Sequence, residues 1–370
     1  MTPLDRALRD RRVLVVCGPG GVGKTTVSAA LALRAAGLGR HVLVCTIDPS
    51  RRLATSLGLK TLGDKPRPLP LAKLLPHAKG SCAAMTLDTK RTFDAIVERH
   101  AASPEARRRI LDNRFYQQIS AALSGSHEYM AMEKLLELSR DDRYDLVVLD
   151  TPPTRHALDF LEAPDRMLSF LDSSVLRYFL KPYFAAGRLT LKVASRTGAL
   201  ALEIADKALG LQFLGDLSEF FLAFDGMYDG FKVRAAAVFE LLREPSTGFV
   251  LVSTPASQSL QESVFFHDRL SVRDMPFVSF VVNRSHLERP RTARRRAAGG
   301  SARVTPGLAR LLSEIYATDQ RLARQERAAI ARLATLAKGR LVRLPELESD
   351  VHDLKSLAAV AELLAGPANA

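Results

Sequence analysis

The sequence predicts a doubly wound α/β fold, with a mostly parallel sheet and a helical insertion near the middle of the chain. Three observations favour this class. Short apolar runs alternate with helical patterns, a glycine-rich loop joins the first run to the first helix, and residues 163–244 carry few strand signals. Continuously apolar runs are typical of strands that are buried on both faces of a parallel sheet. We predict one domain over residues 1–370, with residues 90–140 and 163–244 inserted as a helical subdomain.

The first elements form a βαβ unit. Residues 13–17, VLVVC, are an apolar run between arginines and glycines, which predicts a buried strand. Residues 24–36 are rich in alanine and leucine and are followed by Gly37 and Gly39, which predicts a helix. A second buried strand is predicted at residues 41–47. Strand, tight loop, helix and strand within about 35 residues imply parallel pairing.

The remaining elements follow from the same patterns. We predict an irregular excursion at residues 60–80 and strands at 81–87, 144–149, 248–253, 277–282 and 340–344. Helical segments are predicted at 92–139, between the strands at 248–253 and 277–282, at 308–337 and at 353–364. Breaks in the helical pattern are expected near Ser103 and Gly125, and 308–337 is one long helix or two. We find no internal repeat in the sequence.

The helical insertion carries an apolar stripe at helical spacing. Its members are Phe213, Leu217, Phe220, Phe221, Phe224, Tyr228 and Phe231. We favour packing in the core of the subdomain. The alternative is a hydrophobic groove that binds a client helix, since a groove needs the same stripe.

Composition and the first residues of the chain indicate in which cellular compartment we expect the protein. The first twelve residues are polar and charged, so we expect no signal peptide, and no run approaches the roughly 18 apolar residues of a membrane-spanning helix. The three cysteines, Cys17, Cys45 and Cys82, are odd in number and lack paired spacing, which argues against a disulfide framework and a zinc site. We expect a cytoplasmic protein.

Positive charge is concentrated in one stretch. The net charge is +13, and residues 284–303, from Arg284 to Arg303, hold seven arginines against one glutamate. Pro290, Gly299 and Gly300 lie in the same stretch, so residues 284–306 are predicted to be a basic flexible loop. The loop is either a solvated surface segment or a patch for an acidic partner, a membrane surface or nucleic acid. It contains no aromatic residue, which disfavours binding of single-stranded nucleic acid.

A phosphate-binding loop follows the first predicted strand. Residues 18–25, GPGGVGKT, fit the pattern G-x-x-x-x-G-K-[ST] and lie between a strand and a helix, as that pattern requires. Glycines let the backbone N–H groups point at phosphate oxygens, and the following helix turns its N-terminus toward the same anion. Lys24 can reach the β- and γ-phosphates, and the Thr25 hydroxyl can bind Mg²⁺. We predict ATP with Mg²⁺ as the ligand, bound by Gly18, Gly20, Gly21, Val22, Gly23, Lys24, Thr25 and Thr26.

The loop and three further stretches resemble one family. Residues 20–26, GGVGKTT, resemble the deviant Walker A loop of the MinD/ParA-like class of P-loop NTPases. TIDPS at 46–50, DTPPTRH at 150–156 and VVNR at 281–284 resemble segments of the arsenite-pump and tail-anchored-protein-targeting ATPases, the ArsA/Get family. The resemblance runs from about residue 13 to residue 364 and looks closest to the bacterial branch, often labelled anion-transporting ATPase. That branch also has a stretch similar to EYMAMEKL at 128–135.

The resemblance implies roles for two carboxylates. Asp48 would position or activate the attacking water, and a carboxylate at the carboxyl end of a parallel strand beside the loop fits that role. An Asp-Pro turn or a helix N-cap is the other interpretation of Asp48. Asp150 would be the Walker B residue, so Thr25, Asp48 and Asp150 are the predicted Mg²⁺ site, and Asp48 and Lys24 the predicted catalytic residues.

The resemblance also implies a base-binding side. Asn283 would read the adenine through its amide, which both donates and accepts hydrogen bonds. Backbone near Pro345, in a closing segment that includes DVHDL at 350–354, would pack on the base. In the second switch, Arg155 replaces the usual glycine, and His156 is expected to be structural or to sense the γ-phosphate.

Four departures from the family pattern matter. Pro19 stands where the family has a lysine that reaches the partner subunit's phosphates. The C-x-x-C pair that clips eukaryotic targeting dimers with zinc is absent, and the three cysteines do not sit where the arsenite ATPase has its thiolates. The chain has one such unit, whereas the arsenite pump ATPase fuses two. We therefore predict neither a zinc site nor an arsenite site.

The leading interpretation is a Mg²⁺-dependent ATPase whose nucleotide state drives dimer closure and the binding of a client or partner. The dimer would be a homodimer or a heterodimer with a paralogous ATPase. One alternative is a weakly hydrolysing regulatory subunit of a heterodimer, with Pro19 as the reason. Another is a ParA/MinD-like positioning ATPase acting on DNA or a membrane surface, and a small-molecule kinase is the last.

Overall fold

The structure is a computed structural model. It describes residues 2–48, 50–71, 79–114, 116–117, 126–152, 162, 216, 220, 227–286, 288 and 305–365. The strands are β1 Val13–Cys17, β2 His41–Thr46, β3 Arg67–Pro68, β4 Ser81–Thr86, β5 Leu146–Asp150, β6 Thr247–Ser253, β7 Phe277–Ser285 and β8 Leu341–Pro345. The helices within these ranges are α1 Pro3–Asp10, α2 Lys24–Gly37, α3 Arg52–Ser56, α4 Thr89–His100, α5 Pro104–Leu111, α6 Ser126–Ser139, α7 Tyr228–Arg243, α8 Ser257–Val272, α9 Pro306–Ala337 and α10 Leu354–Leu363.

The chain divides into two compact units. The first unit comprises Met1–Thr86, Leu138–Leu158 and Leu242–Ala370, and the second comprises Leu87–Glu137 and Asp159–Leu241. The helical subdomain expected at residues 90–140 and 163–244 stays a prediction in its bounds, because most of its second part lies outside the described residues.

The first unit contains an eight-stranded sheet in the order β3-β4-β2-β5-β1-β6-β7-β8. Neighbouring strands are parallel except for the short β3, which pairs antiparallel with β4 at the edge. Every residue of β1, β5 and β6 is buried, as expected for central strands covered by helices on both faces. The doubly wound, mostly parallel α/β fold is therefore confirmed.

The sheet order explains where a ligand site can form. In a parallel sheet the carboxyl ends of all strands lie at one edge, and ligands bind outside that edge. The register pairs Asp150 at the end of β5 with Val16 of β1 on one side and Thr46 of β2 on the other. The loop after β1 and the segment after β2 therefore flank Asp150.

Each strand predicted from the sequence is present. The largest difference is at β7, which was expected to end at residue 282 and continues to Ser285. The segment expected as one long helix or two is the single helix α9.

Two helices escaped the sequence patterns. Helix α1 follows Thr2, whose hydroxyl accepts a hydrogen bond from Asp5 N at 3.1 Å, and it buries Leu4 and Leu8. The threonine cap with Pro3 at the first helical position was a readable signal for this helix. Helix α3 is only five residues long, which is too short for a periodicity to be recognised.

The second unit has an aromatic core of its own. Two members of the predicted apolar stripe, Phe220 and Phe231, are 3% and 0% exposed, and the Phe231 ring lies 6.1 Å from that of Phe93. Tyr228 begins α7. Core packing accounts for Phe220 and Phe231. The stripe positions Phe213, Leu217, Phe221 and Phe224 lie outside the described residues.

Within the described ranges, no helix combines the length and the hydropathy that spanning a bilayer requires.

Candidate functional site

The loop between β1 and α2 needs its glycines for two different reasons. Gly21 and Gly23 have φ angles of 77° and 92°, which residues with a Cβ rarely adopt. At Gly18 the limit is space, because a Cβ there would lie 2.1 Å from the carbonyl oxygen of Val252 in β6. The backbone of the loop is therefore held close against the neighbouring strand.

Lys24 is already drawn into this loop. Its side chain is buried, and Nζ donates hydrogen bonds to the carbonyl oxygens of Gly18 and Pro19, both at 2.8 Å. Burial lowers the pKa of Lys24, and the nearby carboxylate of Asp150 acts in the opposite direction. Thr25 and Thr26 follow in the first turn of α2 and are half-buried.

Asp150 is the centre of a hydroxyl network. Its Oδ2 accepts a hydrogen bond from Thr46 at 2.8 Å, its Oδ1 accepts one from Ser28 at 3.4 Å, and Thr25 supplies a further hydroxyl bond. Complete burial raises the pKa of Asp150 to about 6, against the effect of these hydroxyls and of Lys24. The carboxyl group is thus fixed in direction beside the loop lysine.

The segment after β2 joins the same network. We call residues 46–52 the switch turn; Pro49 lies outside the described residues. The Thr46 hydroxyl, which donates to Asp150, also accepts a hydrogen bond from Asp48 N at 3.2 Å. Asp48 Oδ1 accepts one from Ser50 N at 2.8 Å, so Asp48 does make the turn that was the alternative interpretation of this residue.

Asp48 also acts electrostatically on the rest of the site. Its negative charge raises the pKa of both Lys24 and Asp150. The two predicted carboxylates therefore lie close enough to affect each other, at the same sheet edge as Lys24.

Asn283 is tied to the loop. The pairing of β7 with β8 shifts between Val282 and Ser285, and Arg284 has a φ of 56°. This irregularity is a β-bulge, which re-aims a side chain. Asn283 Nδ2 donates to the carbonyl oxygen of Val22 at 2.9 Å, and its Oδ1 accepts from Arg284 N at 3.0 Å.

Pro345 ends β8 beside the end of β7. It pairs with Ser285, and Glu346 N donates to Ser285 O at 3.2 Å. Asn283 and Pro345 thus lie on adjacent strand ends, and their predicted contacts with a base stay predictions. Arg155 and His156 lie outside the described residues.

Sequence reasoning missed the hydroxyls that connect the site. Thr46, Ser28 and Ser50 were not singled out, although Thr46 bridges Asp48 and Asp150. Finding them requires knowing that β2 and β5 are neighbours, which the order of elements along the chain does not reveal.

Comparison with known proteins identifies the family. Residues 11–337 match the family model described as "Anion-transporting ATPase". A candidate arsenical pump-driving ATPase of Aquifex aeolicus (strain VF5) is 26% identical over 257 residues, which are 68% of this chain and 58% of that protein. ATPase GET3C of Arabidopsis thaliana is 26% identical over 291 residues, 75% of this chain and 68% of that protein. ATPase get3 of Aspergillus terreus (strain NIH 2624 / FGSC A1156) is 30% identical over 154 residues, 41% of this chain and 43% of that protein.

The matched parts span 43% to 68% of the relatives' own lengths. The family model, in contrast, covers most of this chain and includes every strand of the sheet except β8. The chain therefore belongs to the anion-transporting ATPase family, a family of ATP-hydrolysing enzymes.

Proposed function

We propose that this chain binds ATP with Mg²⁺ at the loop of residues 18–25 and hydrolyses the bond to the γ-phosphate. The observation that carries the proposal is the hydroxyl of Thr46. It donates to the Asp150 carboxylate and accepts from the backbone N–H of Asp48, so it ties the turn that carries the Asp48 carboxylate to Asp150, beside the buried Lys24. A loop lysine next to two oriented carboxylates is the arrangement that phosphoryl transfer to water uses.

Each group has a role in this proposal. Gly18, Gly20, Gly21, Val22, Gly23, Lys24, Thr25 and Thr26 bind the phosphates through loop N–H groups, the start of α2 and the Lys24 ammonium. Asp48 accepts a hydrogen bond from the attacking water and orients it toward the γ-phosphorus. Water oxygen bonds to that phosphorus as the bond to the ADP oxygen breaks, which releases ADP and phosphate. Lys24 stabilises the charge that develops during this exchange.

The residues present fit Mg²⁺. Thr25, Asp48 and Asp150 offer only oxygen ligands, and Mg²⁺ prefers oxygen and often keeps bound waters. The buried hydroxyl of Ser50 has no hydrogen-bond partner among the described residues, which also suits a segment that gains contacts when the site is filled. When bound, the ion would neutralise phosphate charge, while Thr25, Asp48 and Asp150 hold it directly or through water.

Asn283 and Pro345 would hold the adenine base. Because the Asn283 amide already bonds Val22 O and Arg284 N, one of these contacts has to be shared or exchanged when a base binds. Binding of a base would then alter the hydrogen bond from Asn283 to Val22 O, and through it the phosphate-binding loop.

Dimer closure and client binding extend this proposal. The resemblance to the tail-anchored-protein-targeting ATPases implies a nucleotide-controlled assembly, with a homodimer or a heterodimer as its form. A hydrophobic helix client remains a prediction. Binding of an acidic partner or membrane surface by residues 284–303 and a cytoplasmic location are likewise predictions.

The cysteines support the prediction that arsenite is not the ligand, although the name of one relative refers to arsenicals. Metalloid binding needs thiolates that can converge. Cys17, Cys45 and Cys82 lie on three different strands and are buried, and burial raises the pKa of Cys17 and Cys82 to about 12. In the part of the chain that the structure describes, no group of three or more His, Cys, Asp or Glu residues is arranged to hold a metal ion such as zinc.

The test is steady-state ATP hydrolysis by the full chain with Mg²⁺ and with EDTA. Lys24→Ala and Asp48→Asn are measured beside it, and Lys60→Ala, which changes an exposed lysine, is the matched control. We expect Mg²⁺-dependent turnover that falls by about a hundredfold or more in both site variants and stays unchanged in the control. Tight ATP binding without turnover would overturn the hydrolytic proposal in favour of a regulatory switch. Absence of binding would overturn the nucleotide site itself.

A further inference from the structure

The switch turn contains polar groups that have no partner. The Ser50 hydroxyl is buried and makes no hydrogen bond within the part of the chain that the structure describes. Arg51 and Arg52 are exposed, and neither guanidinium forms a hydrogen bond or an ion pair with the residues that the structure describes. A buried hydroxyl without a partner costs free energy, so it calls for an explanation, and a ligand that bonds it in the filled site is one.

Buried neighbours fix the position of the two arginines. Helix α3 begins at Arg52, the last residue of the switch turn, and packs on α2. Its Leu53 and Ala54 are 1% and 3% exposed, whereas the side chains of Arg51 and Arg52 stay outside the core. The two arginines therefore lie on the exposed side of the segment that leads from the Asp48 turn into α3.

The loop itself is short of positive charge. Lys24 is its single cation, because the second loop position is Pro19. The triphosphate carries several negative charges, and more charge develops on the γ-phosphate oxygens and the leaving oxygen during transfer. Arginines supplied from the same chain or from a partner stabilise that charge in other phosphoryl-transfer enzymes.

Arg52 is within electrostatic range of the phosphate-binding lysine. Its positive charge lowers the pKa of Lys24, in the direction opposite to the effect of Asp48. Arg51 precedes α3 as its N-cap residue, whereas Arg52 is the first residue of the helix. The two neighbouring arginines therefore occupy different positions at the start of α3.

We propose that Arg52 is the second phosphate-binding cation of this site and contacts the γ-phosphate group of bound ATP. This inference rests on the proposed binding of ATP at the loop. The planar guanidinium donates two parallel hydrogen bonds to phosphate oxygens, which a proline at position 19 cannot do. The contact exists only while the γ-phosphate is present, so it distinguishes the triphosphate from the diphosphate. Arg52 takes no part in bond making.

The experiment compares binding and turnover in the full chain and in three variants. Affinities for ADP and for a non-hydrolysable ATP analogue are measured with Mg²⁺ by fluorescence of labelled nucleotides, as is formation of the ADP–aluminium fluoride complex. The variants are Arg52→Ala, Arg52→Lys and Arg51→Ala, the last being the matched control because it removes an adjacent, exposed and unpaired guanidinium.

We expect Arg52→Ala to bind ADP within about twofold of the unchanged chain but to lose about tenfold or more in affinity for the ATP analogue. Its kcat and its capture of aluminium fluoride should fall by about a hundredfold or more, since an arginine at this position stabilises the transition state. Arg52→Lys should recover part of each loss, and Arg51→Ala should leave all values within about twofold.

Two results would overturn the inference in distinguishable ways. If the unchanged chain binds ADP and the analogue, and Arg52→Ala keeps the same ratio of affinities and the same aluminium fluoride capture, Arg52 does not contact the γ-phosphate although the nucleotide site is correct. If the unchanged chain binds neither nucleotide, the proposed function fails and this inference fails with it.

Discussion

The phosphate-binding loop and the switch turn lie at the same sheet edge but differ in how their polar groups are bonded. In and around the loop, Lys24 bonds two carbonyls and Asp150 accepts from hydroxyls on two sides. In the switch turn, by contrast, Ser50 Oγ is buried without a partner and Arg52 is exposed without one, among the described residues.

This difference separates two tasks. A bonded network holds its groups in place before the substrate arrives, so little reorganisation is needed for the phosphates to bind. Groups without partners gain bonds only from what binds, so their energy depends on which ligand is present. The loop should therefore provide affinity for any nucleotide, and the switch turn should distinguish ATP from ADP.

The largest effect is expected at the centre of the bonded network. Asp150→Asn should reduce Mg²⁺-dependent kcat by about a hundredfold to a thousandfold, because a neutral amide replaces a metal-binding carboxylate. The same change should raise the free energy of unfolding by about 1–3 kcal/mol at pH 7, since burial has raised the Asp150 pKa to about 6 and the charged form is therefore costly inside the protein. Turnover and denaturant unfolding measure the two effects, and a loss of stability would contradict this account of Asp150.

A smaller loss is expected where the loop meets β7. A Cβ at Gly23 would lie 2.4 Å from Asn283 Nδ2, at a φ of 92°. Gly23→Ala should therefore weaken ADP and ATP alike by about tenfold or more and lower the free energy of unfolding by about 1–3 kcal/mol. Gly39→Ala is the control, because Gly39 has a φ of 97° with no atom near its Cβ position. Equal effects of the two changes on nucleotide affinity would show that backbone strain alone is responsible.

Asn283 tests the base side of the site. Asn283→Ala leaves the Val22 carbonyl without its bond and should weaken ATP binding by about tenfold. If the amide also reads adenine, the ratio of ATP to GTP affinity falls as well. An equal loss for both nucleotides in a competition assay would leave Asn283 as a tether of the loop and remove its predicted role toward the base.

Ser50 tests the switch turn against the loop. Its hydroxyl has no partner, so Ser50→Ala should leave the nucleotide-free chain as stable or raise its free energy of unfolding by up to about 1 kcal/mol. The triphosphate analogue should then bind a few-fold more weakly, and ADP should be unaffected. Ser28→Ala is the contrast, because Ser28 bonds Asp150 and its removal should lower stability. Lower stability of Ser50→Ala in unfolding curves would mean that its hydroxyl does have a bonding partner.

The smallest effect is expected at His286, just beyond the base side. Its ring Nδ1 hydrogen-bonds Glu326 of α9 at 2.8 Å, and its Nε2 lies 3.7 Å from a carboxylate oxygen of Glu346. The negative charge of Asp319 also acts on the ring, and the Arg343 guanidinium donates to the backbone carbonyl oxygen of His286. The bond to Glu326 raises the pKa of His286 above its ordinary 6.5. The resulting stabilisation is complete below about pH 6.5 and is lost as the pH rises through the raised value.

Glu326→Gln should therefore lower the free energy of unfolding by less than about 1 kcal/mol at pH 6 and have little effect near pH 9. The measurement is denaturant unfolding across this pH range. Glu346→Gln, which alters a more exposed and more distant carboxylate, serves as its control. A penalty that grows with pH would contradict the assignment, and turnover per folded molecule should not change.

Much of the fold could be predicted because the strands are continuous apolar runs. VLVVC and LVVLD bury every residue in the sheet, which leaves little ambiguity between strand and helix. Helix α3 was missed because five residues do not form a period, and its anchoring residue Leu53 looks like any isolated leucine. The bulge that aims Asn283 depends on pairing with β8 and has no local signal.

The candidate site likewise has a part that the sequence predicts and a part that it does not. Its loop was recognisable because glycine spacing reflects a local backbone requirement. The meeting of Asp48 and Asp150 could be expected only through the family resemblance, since their contact passes through Thr46 on a neighbouring strand. The unpartnered state of Ser50 and Arg52 depends on burial and neighbours, which no sequence pattern encodes.

The measurement that tests the central claim most directly is hydrogen–deuterium exchange of the full chain, comparing peptides from residues 18–24 with peptides from the switch turn. We expect ADP with Mg²⁺ and a non-hydrolysable ATP analogue with Mg²⁺ to protect the loop to the same degree, and only the analogue to protect the switch turn. Equal protection of the switch turn by ADP, or a loop that neither nucleotide protects, would contradict the division of tasks between the two regions.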